Sequence, residues 1–320
     1  MIKNILYGIL LLALISCPFV ITNYWVFLLT EVLIMAIFAT SFNLLLGYTG
    51  LVSFGQAAYY AVGAYTAALL IKNFSTSLWM TLAGGILSSL LVALVIGFFC
   101  VRLNRLYFSM LTMAFASMIF AIIFKWRSLT GGDDGISAIA RPPLGLLGWE
   151  IPLNNPKVYY FFVLFLAGIS IWIMKRIVES PLGYLLQANR DNSKRAEFIG
   201  IPIRSFRLIA FVIAGLFAGL AGSLYALLAG FVSPEIAFWA KSGDPVMMSL
   251  IGGFHSFFGP TLGAAIYTLL KDFIAIKTDN WILYLGIVLL VIVLVLPEGV
   301  LGAWKKWQMK RASKQWQKES

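Results

Sequence analysis

Residues 281–297 read WILYLGIVLLVIVLVLP, a run without a single charge. Runs of about 17–25 apolar residues have the length that crosses the hydrocarbon core of a bilayer. Comparable runs recur at 5–22, 25–46, 52–71, 78–101, 107–124, 158–174 and 205–231. Within lipid every backbone N–H and C=O needs an internal partner, which leaves helices or closed β-barrels. Barrel strands are about ten residues long and alternate in polarity, and these runs do neither. The reading is an all-α, polytopic membrane protein. Charged residues make up only 12% of the chain and the mean hydropathy is +0.90. A soluble domain carries about 25% charged residues, so lipid is the solvent.

Two short stretches are harder to place. Residues 244–254 (DPVMMSLIGGF) are too short to cross untilted, and 259–276 (GPTLGAAIYTLLKDFIAI) are nearly long enough. They form two crossings, or one re-entrant hairpin plus a helix, and bring the total to about ten transmembrane or re-entrant helices. At the N-terminus Lys3 precedes an apolar run that passes Leu14-Ile15-Ser16-Cys17, similar to a lipoprotein cleavage box. The run continues to Ile21 and further spans follow, so it is expected to stay as a first helix.

Lys and Arg set the orientation. Lys175, Arg176, Arg190, Lys194, Arg195, Arg204 and Arg207 cluster in one stretch, six more lie in 305–320, and Arg102 and Arg105 flank a short turn. Placing these with Lys3 in the cytoplasm puts 16 of the 24 basic residues inside and eight outside, as the positive-inside rule requires. Both termini are then cytoplasmic. The chain reads as one membrane domain, 1–320, with an extracytoplasmic loop at 125–157, a cytoplasmic loop at 175–204 and a basic cytoplasmic tail at 303–320. Because the net charge of +11 sits in gaps between apolar runs, it marks orientation, and no nucleic-acid partner is expected.

Enzyme chemistry has no foothold in these residues. No G-x-x-x-x-G-K-[ST] loop is present, so the chain does not hydrolyse ATP by itself. His255 is the only histidine, and Cys17 and Cys100 the only cysteines, so neither a metal site nor a disulfide framework is expected. No G-x-S-x-G elbow occurs. Intramembrane acids mark ion-coupled transport, and Glu31 is the one to test, although it lies about two turns from the outer end of its run. Asp272 beside Lys271 is expected to pair locally. So little buried charge suits a primary-active or passive mechanism.

Gly47–Leu70 (GYTGLVSFGQAAYYAVGAYTAALL) is rich in small residues. Either they let helices pack closely, or they mark an unwound segment beside a cavity in which Ser53 and Gln56 meet substrate. Glu179–Arg207 (ESPLGYLLQANRDNSKRAEFIGIPIRSFR) carries Leu185, Leu186, Ala188, Ala196, Phe198 and Ile199 among charges. It reads as a solvated basic loop, or as a short surface helix that presses into a groove on a soluble partner.

Together these residues resemble the LivM-type permeases, membrane subunits of branched-chain amino acid ABC importers. The resemblance rests on Gly47-Tyr48-Thr49-Gly50-Leu51-Val52-Ser53-Phe54-Gly55-Gln56 with Gly63-Ala64-Tyr65, on Tyr107–Thr112 (YFSMLT) and on Thr130-Gly131-Gly132-Asp133-Asp134-Gly135. It continues with Ser180-Pro181-Leu182-Gly183, Arg190-Asp191-Asn192, Gly230–Glu235 (GFVSPE) and Gly252-Gly253 with Phe258-Gly259-Pro260. It implies a multi-pass protein of the bacterial inner membrane, with a translocation path along Gly50, Ser53, Gly55, Gln56, Gly63 and Tyr65. It also implies a second related permease, two cytoplasmic ATPases that use ATP and Mg, and an external substrate-binding protein docked near Asp133 and Asp134. Coupling to the ATPases falls to Arg190, Asp191, Arg195, Ala196 and Gly200. The family's E-A-A-x-x-x-G pattern is only half kept in Lys194-Arg195-Ala196-Glu197-Phe198-Ile199-Gly200, which leaves the register of that contact open. Importers of urea or short amides share much of the pattern. A carrier working alone and a membrane scaffold are the other classes in play.

Overall fold

The computed structural model describes residues 14–74, 77–146, 149–198, 200–304, 306 and 308. Residues 14–20 are helical (α1); the rest of the expected first span and almost all of the basic tail lie outside the described residues. Among the described residues six stretches are long and apolar enough to cross a membrane: Asn23–Thr49, Leu78–Cys100, Arg105–Lys125, Pro156–Val178, Ile203–Ala229 and Trp281–Trp304. Each lies within a few residues of an apolar run, because in lipid the backbone has no alternative to a helix once the run is long enough.

The bundle has a basic end, where Arg102, Arg105 and Lys175–Arg207 gather, and a loop end formed by 126–155. Helix α2 (Asn23–Asn43) runs from the loop end and closes in a π-helical turn, Leu44–Thr49, at the basic end. Then come α3 (Gln56–Phe74), α4 (Leu78–Cys100), α5 (Arg105–Lys125) and the four-residue α6 (Arg127–Thr130). The loop end adds a short two-stranded antiparallel ribbon, β1 (Leu144–Leu146) and β2 (Trp149–Ile151), which the all-α expectation did not include. Helix α7 (Pro156–Val178) returns to the basic end, where Pro181 and Ser193 open α8 (Pro181–Asp191) and α9 (Ser193–Phe198). Helix α10 (Ile203–Ala229) rises again, followed by α11 (Gly243–Gly252), α12 (Gly259–Ala275) and α13 (Trp281–Val295).

The centre is built by α2, α3, α4 and α10, and small residues let their backbones meet. A Cβ added at Gly63 would stand 2.2 Å from the Gly219 carbonyl oxygen, and one at Gly222 would stand 1.8 Å from that of Tyr60. Ser89 Oγ donates to the Tyr59 carbonyl (2.9 Å) and Ser223 Oγ to that of Gly63 (3.1 Å). This is how membrane helices associate when lipid offers no hydrophobic drive between them. α2 and α10 are largely buried, while α5 and α13 turn most of their apolar surface outward.

The two short stretches resolve into one half-helix and one longer helix. At ten residues α11 spans about 15 Å, half of a hydrocarbon core of about 30 Å. The other half of that passage is irregular: residues 230–242 descend from the loop end through two 3-10 turns, Pro234–Ala237 and Trp239–Ser242. Val232, Pro234, Ile236 and Ala237 are buried there, so a stretch that reads as a connecting loop lies inside the bundle.

Candidate functional site

The chain breaks its helical path twice inside the bundle, and the breaks meet. In the first, Gly50 (φ 70°) ends the π-turn in a left-handed conformation that a side chain resists. Residues 51–55 are non-helical, and α3 starts level with Thr112, about 10 Å into α5. Every exposed backbone group must find a partner at that depth. Ser109 Oγ donates to the Val52 carbonyl (2.7 Å), and the Phe54 N–H donates to Thr112 Oγ1 (3.2 Å). Ser242, from the second break, donates through Oγ to the Phe54 carbonyl (2.8 Å) and accepts the Ala57 N–H (2.9 Å). One hydroxyl therefore joins the start of α3 to the start of α11.

Of the residues expected along a path, Gly50, Ser53, Gly55 and Gln56 lie at this break, and Ser53 and Gln56 are fully buried. The Gln56 amide has no hydrogen-bond partner among the described residues. Gly63 and Tyr65 lie farther along α3 in its packed face, and at Gly63 the close-packing reading holds, because Gly219 occupies the space a side chain needs.

At the basic end the expected coupling residues separate into two groups. Arg190, at the end of α8, donates from Nη1 to the Gly47 carbonyl in the π-turn (2.6 Å), and Arg105 Nη2 donates to the Arg190 carbonyl (2.6 Å). Asp191 holds the Arg190 guanidinium at 3.0 Å. Arg195, Ala196 and Gly200 belong to the next piece, α9 and its exit. Ala196 is buried against the body, Arg195 is exposed with its N–H capped by Asn192 Oδ1 (3.0 Å), and Gly200 turns the chain at φ 84°. Leu186 also faces inward, whereas Tyr184 and Phe198 point out, Phe198 being 90% exposed.

At the loop end Asp133 and Asp134 form an exposed knuckle on the 3-10 turn Gly132–Asp134. The knuckle is anchored where Ile136 pairs with Val232 through two 2.9 Å backbone bonds. Nearby, Arg141 donates to the Leu227 and Leu228 carbonyls (2.7 and 2.9 Å), capping the end of α10 with a positive charge. Burial lowers its pKa from the ordinary arginine value.

The largest correction concerns charge. Lys241 and Lys271, among the eight basic residues assigned outside, lie within the bundle. Lys241 Nζ is 2.6 Å from Asp244 Oδ2, and Tyr267 donates to Asp244 Oδ1 at 2.7 Å. Glu31 on α2 and Lys271 on α12 are each half-buried. Asp272 does not pair with Lys271; it accepts a hydrogen bond from Tyr24 near the loop end. Lys241 and Asp244 sit three apart beside Ser242-Gly243; the packing of 230–242 into the bundle is what brings them into its interior.

Comparison with known proteins gives the family. Residues 24–296 match the family model described as branched-chain amino acid transport system / permease component. The chain is 29% identical to the high-affinity branched-chain amino acid transport system permease protein LivM of Escherichia coli, over 93% of this chain and 75% of that protein. A probable LivM of Methanocaldococcus jannaschii is 23% identical over 83% of this chain and 89% of its own length. The guanosine ABC transporter permease protein NupQ of Bacillus subtilis is 25% identical over 56% of this chain and 59% of that protein. No solved structure matches. A multi-pass membrane protein with these breaks and this match belongs to the family of branched-chain amino acid transport permease components.

Proposed function

We propose that this chain is one of two membrane subunits of an ABC importer that carries branched-chain amino acids through the bacterial inner membrane, using ATP and Mg handled by two ATPase partners. The observation that carries the reading is the Arg190 bond from α8 to the Gly47 carbonyl. It ties the surface helix at the basic end to the π-turn from which the first break departs. Single π-turns inside α-helices are uncommon and recur at functional sites. A pull on α8 by an ATPase is thereby delivered to the foot of α2 and to Gly50, Ser53, Gly55 and Gln56. The exposed Tyr184 and Phe198 offer the apolar contacts with which a short helix seats in a groove, with Asp191, Arg195 and Gly200 shaping that surface and Ala196 packed beneath it.

In this scheme the basic end is cytoplasmic, both termini lie there, and the passes through 51–74 and 230–252 bring the chain to ten crossings with α1. A substrate-binding receptor docks at the loop end, where Asp133 and Asp134 stand on a braced turn. The test is uptake by proteoliposomes holding the whole complex. Arg190→Ala is expected to reduce both leucine uptake and receptor-stimulated ATPase activity at least tenfold while the complex still assembles. Unaltered coupling in that variant removes the reading's main support.

A further inference from the structure

We propose that Lys241 and Asp244 form the site that holds the two charges of a free amino acid as it passes the middle of the bundle, Lys241 taking the carboxylate and Asp244 the ammonium. The inference rests on the transport reading above and names how the substrate is recognised.

The geometry comes first. Lys241 closes the irregular segment 230–242, and Asp244 is the second residue of α11, so the pair stands where a helix begins inside the membrane. Ionisable groups at such depth are costly, and they mark substrate or ion pathways. The side chains keep 20% and 17% of their surface, so the pair is sheltered and still reachable from one side. Phe238, whose carbonyl accepts the Lys241 N–H (2.9 Å), and Met247, one turn after Asp244, expose 41% and 37% of their surface. They offer apolar company to a branched aliphatic side chain held by its charged end.

Charge balance narrows the ligand. Lys241 and Asp244 put one cation and one anion in direct contact, a neutral pair. An anionic or cationic substrate calls for an uncompensated opposite charge, whereas a zwitterion calls for one of each. In this structure Lys241 and Asp244 neutralise each other at 2.6 Å. In the loaded site each exchanges that partner for the opposite charge of the substrate, with Tyr267 still donating to Asp244. One ion pair becomes two and no charge is left uncovered. Bare passage of both charges through an apolar interior carries a desolvation penalty for each, which would slow transit by orders of magnitude.

The experiment uses the complete complex in proteoliposomes with labelled leucine and its receptor. Lys241→Met with Asp244→Leu replaces the pair by apolar residues of similar size, a change that often leaves stability intact. The expected result is at least a tenfold loss of uptake with receptor-stimulated ATPase activity kept within twofold, and with Lys241→Arg retaining a substantial part of uptake. Uptake at the wild-type rate in the double variant overturns the proposal. Parallel loss of uptake and ATPase activity assigns the pair to holding α11 in place and overturns it as well. If the wild-type complex itself moves no leucine, the transport reading fails, and this inference fails with it.

Discussion

The two breaks solve the same problem with different chemistry. Around Val52–Ala57 the unwound backbone is matched by neutral hydroxyls, those of Ser109, Thr112 and Ser242. Around Phe238–Asp244 the chain adds an ion pair and a tyrosine hydroxyl. The first break is sealed: Ser53 and Gln56 expose nothing, and the backbones of α3 and α10 touch at Gly63. The second is open on one flank, where Ala240 and Met247 are exposed. The contrast suggests a division of labour, with a tightly fitted neutral break acting as the hinge and a charged, accessible one meeting what passes. Ser242 Oγ joins the two, bonding to both Phe54 and Ala57.

A glycine on the packed face of α3 and one at the second break separate the sealed region from the open one most sharply. At Gly63 any larger side chain drives into the Gly219 backbone, whereas nothing lies within 4 Å of a Cβ built on Gly243. Gly63→Leu is expected to cost about 3 kcal/mol or more and to leave little folded protein in the membrane fraction. Gly243→Ala is expected to change stability by no more than about 0.5 kcal/mol. Thermal unfolding of the purified complexes checks both. Equal tolerance at the two glycines would break the contrast.

A smaller effect is expected at the shared atom. Ser242→Ala removes the acceptor of the Ala57 N–H and the donor to the Phe54 carbonyl at once. Leaving buried backbone groups without partners costs about 1–3 kcal/mol each in the worst case, so a clear fall in unfolding temperature is expected. If the joint transmits motion, uptake falls more than the loss of folded protein accounts for. A variant with normal stability and normal uptake would show the breaks to be independent.

Sequence alone revealed the long helices well, because an uncharged run of some twenty residues has only one stable form in lipid. It also marked the first break, since Gly47, Gly50 and Gly55 around Ser53 and Gln56 are unusual in an apolar run. Local pattern did not separate packing from unwinding there: Gly50 serves a left-handed turn and Gly63 a backbone contact, and both read as small residues. The second break was hidden for another reason. Residues 232–243 (VSPEIAFWAKSG) carry a proline, two charges and no helical period, and so look like any surface connection. Their burial depends on α3 and α5 packing around them, and the partner that completes the ion pair, Tyr267, is 23 residues away on another helix. The link from Arg190 to Gly47 spans 143 residues, and no local pattern announces it.

The finest test asks whether the breaks are energetically distinct. Thr112→Val removes only the hydroxyl that accepts the Phe54 N–H, and Tyr267→Phe removes only the hydroxyl that donates to Asp244. Each is expected to cost about 1 kcal/mol. Thr112 and Ser242 both serve Phe54, so combining Thr112→Val with Ser242→Ala should give a double-mutant coupling of about 0.5 kcal/mol or more. Thr112 and Tyr267 share no hydrogen-bond partner, so their combination should add to within about 0.3–0.5 kcal/mol. The reverse pattern, with additivity inside the first break and coupling between Thr112 and Tyr267, would mean that the hydroxyl network and the charged cluster act as one unit. The hinge and the recognition site would then have to be treated as the same device.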